Sequence, residues 1–504
     1  MDDTSQIFTI TDLMGGECLI GTPDSIPNNC LQLCQNMEYG GDILQLQGVP
    51  GVVKKYSSWY AGGDIYSNHD DIAGNTNIIA YSPSDEITRG HYDTTHNCEL
   101  IATKSALYKV DNSYNRTLLG TLTGTFEPIF CQYDNLVLIA TGGQIQSFDG
   151  TTLATMTGTP LTHHVSVCFG RVRAYNILSD VINYSAIGDP VGWTNVPADI
   201  SSSQFIQIGY KDAGYITSTM MLSTDLIVLK SSGTPYRVIG EDNFATIRIV
   251  AAAEKVYAWN YYCGLSVGNK CFFVGKEGFE SFSTVTNYGA VKLDEPSPGQ
   301  YVNTRIALDS DEGARLWHVP NKKQIWLKAH NDKVVYIYHY QLLANGVTGS
   351  WTRRSFTHQI NDVYTKGKES HIFYGGMMGI LDETTDLDDG VPIIQKLITK
   401  RKNPTLKKYV MDYLKYKSYN LLPGNAVLDV STKQYPHILT TGDTPIFGDN
   451  SPIFGDNTPI FGERYTTISK HLQKRCNYLE AKLIVNRGRI AIREFSVRAE
   501  EVEY

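Results

Sequence analysis

The sequence predicts an all-β protein: a β-propeller of six or seven blades with an additional C-terminal β domain. Three observations carry that expectation. The composition favours strands and tight turns, a hairpin shape recurs along the chain without repeating its letters, and the last hundred or so residues alternate apolar and polar positions outside that recurrence.

The chain has 504 residues, 42% hydrophobic and 19% charged, so it holds ample apolar material for burial and is too long for one ordinary core. Its 32 Tyr and 44 Gly, with many Val, Ile and Thr, suit pleated surfaces and turns of positive φ. From about residue 98 to 381 an apolar strand, a short Gly- or Ser-marked turn and a second apolar strand recur, as in "CELIATKSALYKVD", "NLVLIATGGQIQSFDG", "GRVRAYNILSDVINYS", "DLIVLKSSGTPYRVIG", "CFFVGKEGFESFS", "KQIWLKAHNDKVVYIYHY" and "SHIFYGGMMGILDE". The turns fall near residues 104, 142, 179, 232, 277, 331 and 376. That spacing is the period of propeller blades, with room for two further strands in each. A ring of blades closes on itself and tolerates unequal loops, whereas a stacked solenoid needs a stricter period and polar caps.

These readings divide the chain into a lead-in (1–60), a propeller (61–395) and a C-terminal β domain (396–504). The lead-in ends in "ILQLQGVPG", a strand running into a turn. The C-terminal domain reads as strands in "NAVLDVST" and "YLEAKLIVNRGRIAIREFSVRAEEVE". It also contains "TPIFGDNSPIFGDNTPIFGERY", residues 444–465, a near-verbatim heptad said three times. Pro removes a ladder donor and Gly-Asp-Asn is turn chemistry, so this segment must loop out between two strands of its domain. Its Ile446, Phe447, Ile453, Phe454, Ile460 and Phe461 are expected to bury against their own domain or an adjoining subunit, or to line a channel.

A net charge of -8 gives no general attraction for nucleic acid, so any such contact must be local. The acidic start "MDDTSQIFTITDL" is not a secretory signal, and no run of about 18 apolar residues offers a membrane span. The nine cysteines are odd in number and lie in strand-like runs, which reads as buried free thiols; Cys30 and Cys34 lack the second pair a zinc site needs.

The stretches "NNCLQLCQNMEYGGDILQLQGVPG", "GRVRAYNILSDVINYSAIGDPVGWTN", "DLIVLKSSGTPYRVIG" and "CFFVGKEGFESFS" resemble the propeller tail-hub proteins of short-tailed bacteriophages, the packaged-DNA stabilisation or tail accessory proteins related in role to nozzle proteins. The resemblance runs loosely from residue 25 to the C-terminus. It implies a homo-oligomeric ring, a hexamer, below the portal and adaptor. Such a ring closes and gates the DNA exit channel, retains the genome and anchors fibres or a needle. The implied location is the virion tail, assembled in the host cytoplasm. Neither the heptad loop nor the many cysteines are hallmarks of that family.

Enzymatic constellations are weak. The Ser-x-Asp-x-Gly-x-Thr-Trp turns of sialidase-type propellers, His-Glu-x-x-His, Gly-x-Ser-x-Gly and phosphate-binding Gly-rich loops are absent, so no catalytic residue, metal ligand or cofactor is assigned. The alternative function is a propeller-type glycan-binding protein or glycoside hydrolase. The acidic "DETTDLDDG" (382–390) reads as a solvated turn, with calcium the minority reading because EF-hand order is missing. Adjacent His163 and His164 would point to opposite faces of a strand, and Trp193, Trp317, Trp326 and Trp351 read as blade packing. One basic run stands out: Lys396, Lys400, Arg401, Lys402, Lys407, Lys408, Lys415 and Lys417 accompany a single acid, Asp412. It reads as a solvated or docking face or, multiplied around the implied ring, as a surface facing DNA or the portal.

Overall fold

The computed structural model of the chain describes residues 5–10, 13, 15–40, 45–56, 87–196, 199–252, 255–284, 291–294, 296–330, 333–341, 349–374, 377–401, 408–430, 433–439, 466–476 and 480–502. The protein is all-β, a propeller with an additional large sheet. Five self-contained antiparallel sheets follow one another: blade 1 (87–121), blade 2 (129–155), blade 3 (164–207), blade 4 (216–251) and blade 5 (264–293); after a gap, a six-stranded sheet contains blade 7 (360–382). Four strands between Arg315–Val319 and Ser350–Ser355 fill the gap as blade 6, and they continue sideways into a 14-stranded sheet. The first strand of each blade lies innermost, and first strands adjoin one another between blades 2 and 3, 4 and 5, 5 and 6, 6 and 7, and 7 and 1.

The seven hairpins read from the sequence are the middle pairs of the seven blades, joining the second strand of each to its third. Second strands such as Cys98–Thr103, Arg171–Tyr175, Asp225–Lys230 and Gln324–Lys328 are buried at every position. A neighbouring blade covers each face, which is why burial does not alternate along these runs and even their charged side chains, such as Glu99, Arg171 and Lys328, are buried. Outer strands meet water, as the exposed pattern of Arg116–Thr121 illustrates.

The core is a ring of seams. Leu100 and Leu107 pack with Val137 and Phe148 between blades 1 and 2; Leu138 with Val165 and Val172 between blades 2 and 3; Tyr184 and Ile182 with Leu226 and Val228 between blades 3 and 4. One larger cluster joins blades 4, 5 and 6 through Leu229, Phe273, Phe279 and Trp351, and Trp317, Trp326 and Tyr374 join blades 6 and 7. Phe373 and Met378 against Ile101 and Tyr108 complete the circle between blades 7 and 1. Trp317, Trp326 and Trp351 are therefore packing residues; Trp193 packs on the seam of blades 2 and 3 and donates through Nε1 to Pro190 O at 2.9 Å.

Closure uses the far end of the chain. Gly51–Tyr56 adds itself antiparallel to Met377–Asp382 as the fourth strand of blade 7. The lead-in is thus no separate unit, and the boundary expected near residue 60 falls beyond a strand of the propeller itself. The same lead-in supplies Cys30–Gln35 to the large sheet, where it pairs with Gln395–Thr399, which pairs in turn with Ala481–Val502. The chain before the first blade and the chain after the last are one sheet. Sequence alternation cannot reveal this, because the partners are more than 360 residues apart.

Among the described residues no helix is long and apolar enough to cross a membrane. Among the described residues eight cysteines are placed outside any disulfide, seven of them buried and Cys131 half-buried, as expected of small apolar side chains in a β core.

The turn entering the closing strand leaves no room for a side chain at Gly51, where a Cβ would lie 2.4 Å from Leu387 O and 2.5 Å from the Thr385 methyl. Gly51→Ala should lower unfolding free energy by about 1–3 kcal/mol by overpacking this site, read as a fall in the urea midpoint with unchanged slope.

Candidate functional site: the propeller mouth and the basic ribbon

The loops that feed the inner strands meet at one mouth of the wheel. Between blades 4 and 5 the chain turns through a single 3-10 turn, Tyr261–Cys263, capped by Asn260, whose side chain accepts from Tyr262 N at 2.7 Å. Asn260 Nδ2 donates to Glu312 O and Ala314 O, fastening the turn to the entry of blade 6. Held in this way, Tyr262 reaches across the mouth and its hydroxyl donates to Glu127 O, on the way into blade 2, at 2.9 Å.

Two arginines flank the Tyr262 ring, Arg89 of blade 1 at 4.6 Å and Arg315 of blade 6 at 4.5 Å from its centroid. Arg315 grips the Glu127 carboxylate with both terminal nitrogens, one contact being 2.8 Å. Arg89 faces Asp362 of blade 7 at 3.5 Å, and the same carboxylate accepts from Gly90 N at 2.9 Å and Trp317 Nε1 at 2.8 Å. Burial pushes the Asp362 carboxyl up from its ordinary range while Arg89 opposes that rise; burial also drives the Tyr262 phenol well above its ordinary value. The mouth is therefore cross-braced by ion pairs and a neutral phenol. Beside the brace lies a cavity of about 550 Å³ lined by Phe126, Glu127, Tyr261, Tyr262, Lys104 and Arg315.

Sequence reading missed this cluster. Its members come from five blades and share no local motif, the one local signal being the Tyr pair after Asn260 in "WNYYCG". The expected histidines do diverge: His163 meets the Phe126 ring at 3.8 Å and Asn176 Oδ1 at 2.5 Å, and His164 stacks on Tyr175.

The basic run divides into parts. Lys402 and Lys407 lie outside the described residues, as do Ile446, Phe447, Ile453, Phe454, Ile460 and Phe461 of the heptad segment; strands Lys433–Leu439 and Thr466–Cys476 precede and follow that segment. Lys396 lines a cleft beside blade 7, Lys400 donates to Asn28 Oδ1 at 3.2 Å, and Arg401 pairs with Glu480 at 3.3 Å. Lys408, Lys415 and Lys417 sit on the strand Lys408–Val430, antiparallel to Ala481–Val502. That register sets Glu494 opposite Lys417, Glu501 opposite Tyr409 and Glu500 opposite Val410. Strand pairing thus interleaves with this run acids that lie more than 70 residues away in sequence.

The acidic "DETTDLDDG" is not a solvated turn. Asp386 pairs with Arg487 at 3.0 Å and accepts from Gly488 N; Asp388 accepts from Thr357 N; Asp389 meets Lys54 and His358; Glu383 binds Arg489 and Lys322. These carboxylates tie blade 7 to the large sheet. Among the described residues no group of three or more His, Cys, Asp or Glu is placed to hold a metal ion.

No known family and no curated protein matches this sequence. Solved structures do match. They include BamB from Moraxella catarrhalis (12% identity, TM-score 0.39, covering 66% of this chain and 97% of that one) and YCF48 bound to D1 peptide (9%, 0.37, 60% and 96%). The WD40 domain of Toxoplasma gondii coronin matches at 10% identity and TM-score 0.36, over 68% of this chain and 87% of that one.

Removing the acceptor at the centre of the brace leaves Arg89, Gly90 N and Trp317 unsatisfied. Asp362→Leu should cost about 3–5 kcal/mol in chemical denaturation, and a double-mutant cycle with Arg89→Met should recover part of the loss. A second expectation concerns pH. Burial pushes His91 and His339 down to about 4 and His164 down to about 3, so each stays neutral in the fold. The unfolded chain binds those protons from about pH 6.5 downward, so stability is full above that pH and falls as pH drops towards 4, by up to about 1.4 kcal/mol per pH unit for each histidine. His91→Phe, which keeps the stack on Phe130, should reduce the slope of urea stability between pH 6.5 and 5 by one proton.

Proposed function

We propose that this protein is a structural, non-enzymatic component of a bacteriophage tail. In this reading it is a homo-oligomeric hub or nozzle ring below the portal and adaptor that retains the genome, gates its exit and anchors fibres or a needle. The observation that carries the reading is the ribbon. Strands of 23 and 22 residues, Lys408–Val430 and Ala481–Val502, pair along their length, against four to seven in nearly every blade strand. At about 3.4 Å per residue they would span roughly 75 Å, several times the height of a blade. A lone wheel has no use for such an arm, whereas a ring that must reach its neighbours does. The mouth supports the same reading, since the two carboxylates of its brace, Glu127 and Asp362, are held by arginines and its central tyrosine is a half-buried neutral phenol, a poor arrangement for bond breaking.

The aromatic-lined cavity at the mouth favours a second reading, a glycan-binding propeller. Against it, arginines occupy the faces of Tyr262 on which a sugar would stack. Negative-stain images of the protein with portal should contain six-fold rings; dispersed particles that bind or cleave glycans would favour the second reading. In virions, Lys407→Glu with Lys408→Glu should cause genome leakage or failed tail assembly, and deletion of 445–462 should leave assembled particles that leak or do not infect. Normal particles from both variants would remove the DNA-facing role.

A further inference from the structure

Each blade turns from its first to its second strand through a residue of positive φ. In six blades that residue is polar or glycine: Asn97, Asp134, Ser223, Gly268, Lys323 and Gly367, with φ between 48° and 59°. Blade 3 places Phe169 there, at φ 46° and exposed. A bulky side chain in the left-handed region is a costly outlier, and a residue held there marks function more often than packing. The next turn of the same blade does likewise with Leu178, at φ 60° and 69% exposed.

These are not isolated. Among the described residues, ten of the sixteen exposed large hydrophobics lie between Leu161 and Tyr210, on blade 3 and its loops. Six of the ten, Phe169, Ile187, Val191, Val196, Ile200 and Phe205, lie towards the Phe169 end of the blade, and at roughly 150–200 Å² for a fully exposed large side chain their exposed fractions sum to about 500 Å², against about 800 Å² per partner in a standard interface. Next to Phe169 stand Ile187 and Val191, with Gly188 N donating to Gly170 O at 2.8 Å. Buried Arg171 fixes this rim by donating to the carbonyls of Ser185, Ser202 and Ile200, so the apolar side chains are presented on an ordered frame. The only basic side chains from Leu161 to Tyr210, Arg171 and Arg173, are buried, whereas Asp189 and Asp199 are exposed, so the rim is apolar and acidic.

Blade 3 lies directly across a seven-membered wheel from the junction of blades 6 and 7. There a cleft of about 360 Å³ is lined by Phe356 and Val391–Ile394 together with Lys333 and Lys396, which outnumber its one acid, the buried Asp388, and Val391 and Ile394 are exposed. An apolar acidic rim on one side and an apolar basic cleft on the opposite side are the two halves of a heterologous contact, which repeats head to tail and forms a ring when the rotation between copies closes.

We infer that the blade 3 rim around Phe169 and Ile187 docks into the Val391–Ile394 cleft of a second copy of this chain. The inference rests on the ring reading above and assigns its subunit contact. The test uses the purified full chain, with mass followed by sedimentation velocity and folding by thermal melting. Phe169→Asn should leave the melting temperature unchanged or raised, since Asn suits positive φ, while weakening self-association about tenfold to a hundredfold. Ile187→Glu and, separately, Ile394→Glu should each give monomers, and mixing those two variants should restore dimers and nothing larger, because each retains one intact half. Leu118→Glu on blade 1 should leave the mass of the wild type. A wild-type oligomer untouched by the Phe169, Ile187 and Ile394 substitutions would overturn this contact, give the rim to another partner and leave the ring standing. A wild type that is monomeric at every concentration would overturn both.

Discussion

A wheel of blades has a last blade that must be joined to the first, and in this protein that join is made by hydrogen bonds between opposite ends of the propeller chain. Gly51–Tyr56 completes blade 7, and the turn leading into it is pinned from two directions. Buried Arg489 of the large sheet donates to Gly48 O at 3.0 Å and Glu383 O at 2.6 Å, and buried Arg354 of blade 6 donates to Pro50 O at 2.9 Å. Charged groups bonded to carbonyls in a dry setting are strong, and losing one leaves its partners bare at a cost of a few kcal/mol. Every seam around the wheel depends on this turn being in place.

The polar clusters share a plan. Asp362 ties blade 7 to blade 1 through Arg89 and Gly90 N, and Glu99 of blade 1 ties back to blade 7 through Lys366 at 2.7 Å, Tyr364 and His371. Glu38 of the lead-in binds Lys322 at 2.8 Å and Gln324 at 3.1 Å of blade 6; burial would raise its carboxyl, but Lys322 and its other partners bring it down to about 2. Such pairs add less stability than apolar packing of the same volume, but they penalise wrong neighbours heavily. In a wheel whose blades look alike, each ion pair specifies which blade belongs beside which.

The wheel was legible because each middle hairpin is a local event: an apolar second strand, a turn and an apolar third strand lie within about 15 residues and carry their own turn chemistry. The rest was illegible for one reason, sequence distance. Gly51–Tyr56 reads as a strand but says nothing of Met377–Asp382; the carboxylates of 382–390 read as solvated because Arg487, Arg489 and Lys54 are far along the chain; and the mouth draws Arg89, Glu127, Tyr262, Arg315 and Asp362 from five blades. The basic run read as holding a single acid, Asp412, for the same cause, since Glu494, Glu500 and Glu501 arrive only through strand register.

One consequence of this topology is mechanical. Arg489 and Gly488 belong to the same strand that forms the ribbon, and they hold Gly48 O, Asp386 and Gln395, all at the doorway of the closing strand. The doorway is tightly filled, since a Cβ at Gly48 would lie 2.2 Å from the Gln395 side chain. A displacement of the ribbon near this doorway cannot be absorbed by slack; it loads the turn that keeps blade 7 complete. Interiors packed to this density respond by switching between discrete arrangements and not by gradual deformation. Wheel and ribbon therefore form a single cooperative unit, in which strain applied to the arm is felt at the one place where the circle is joined.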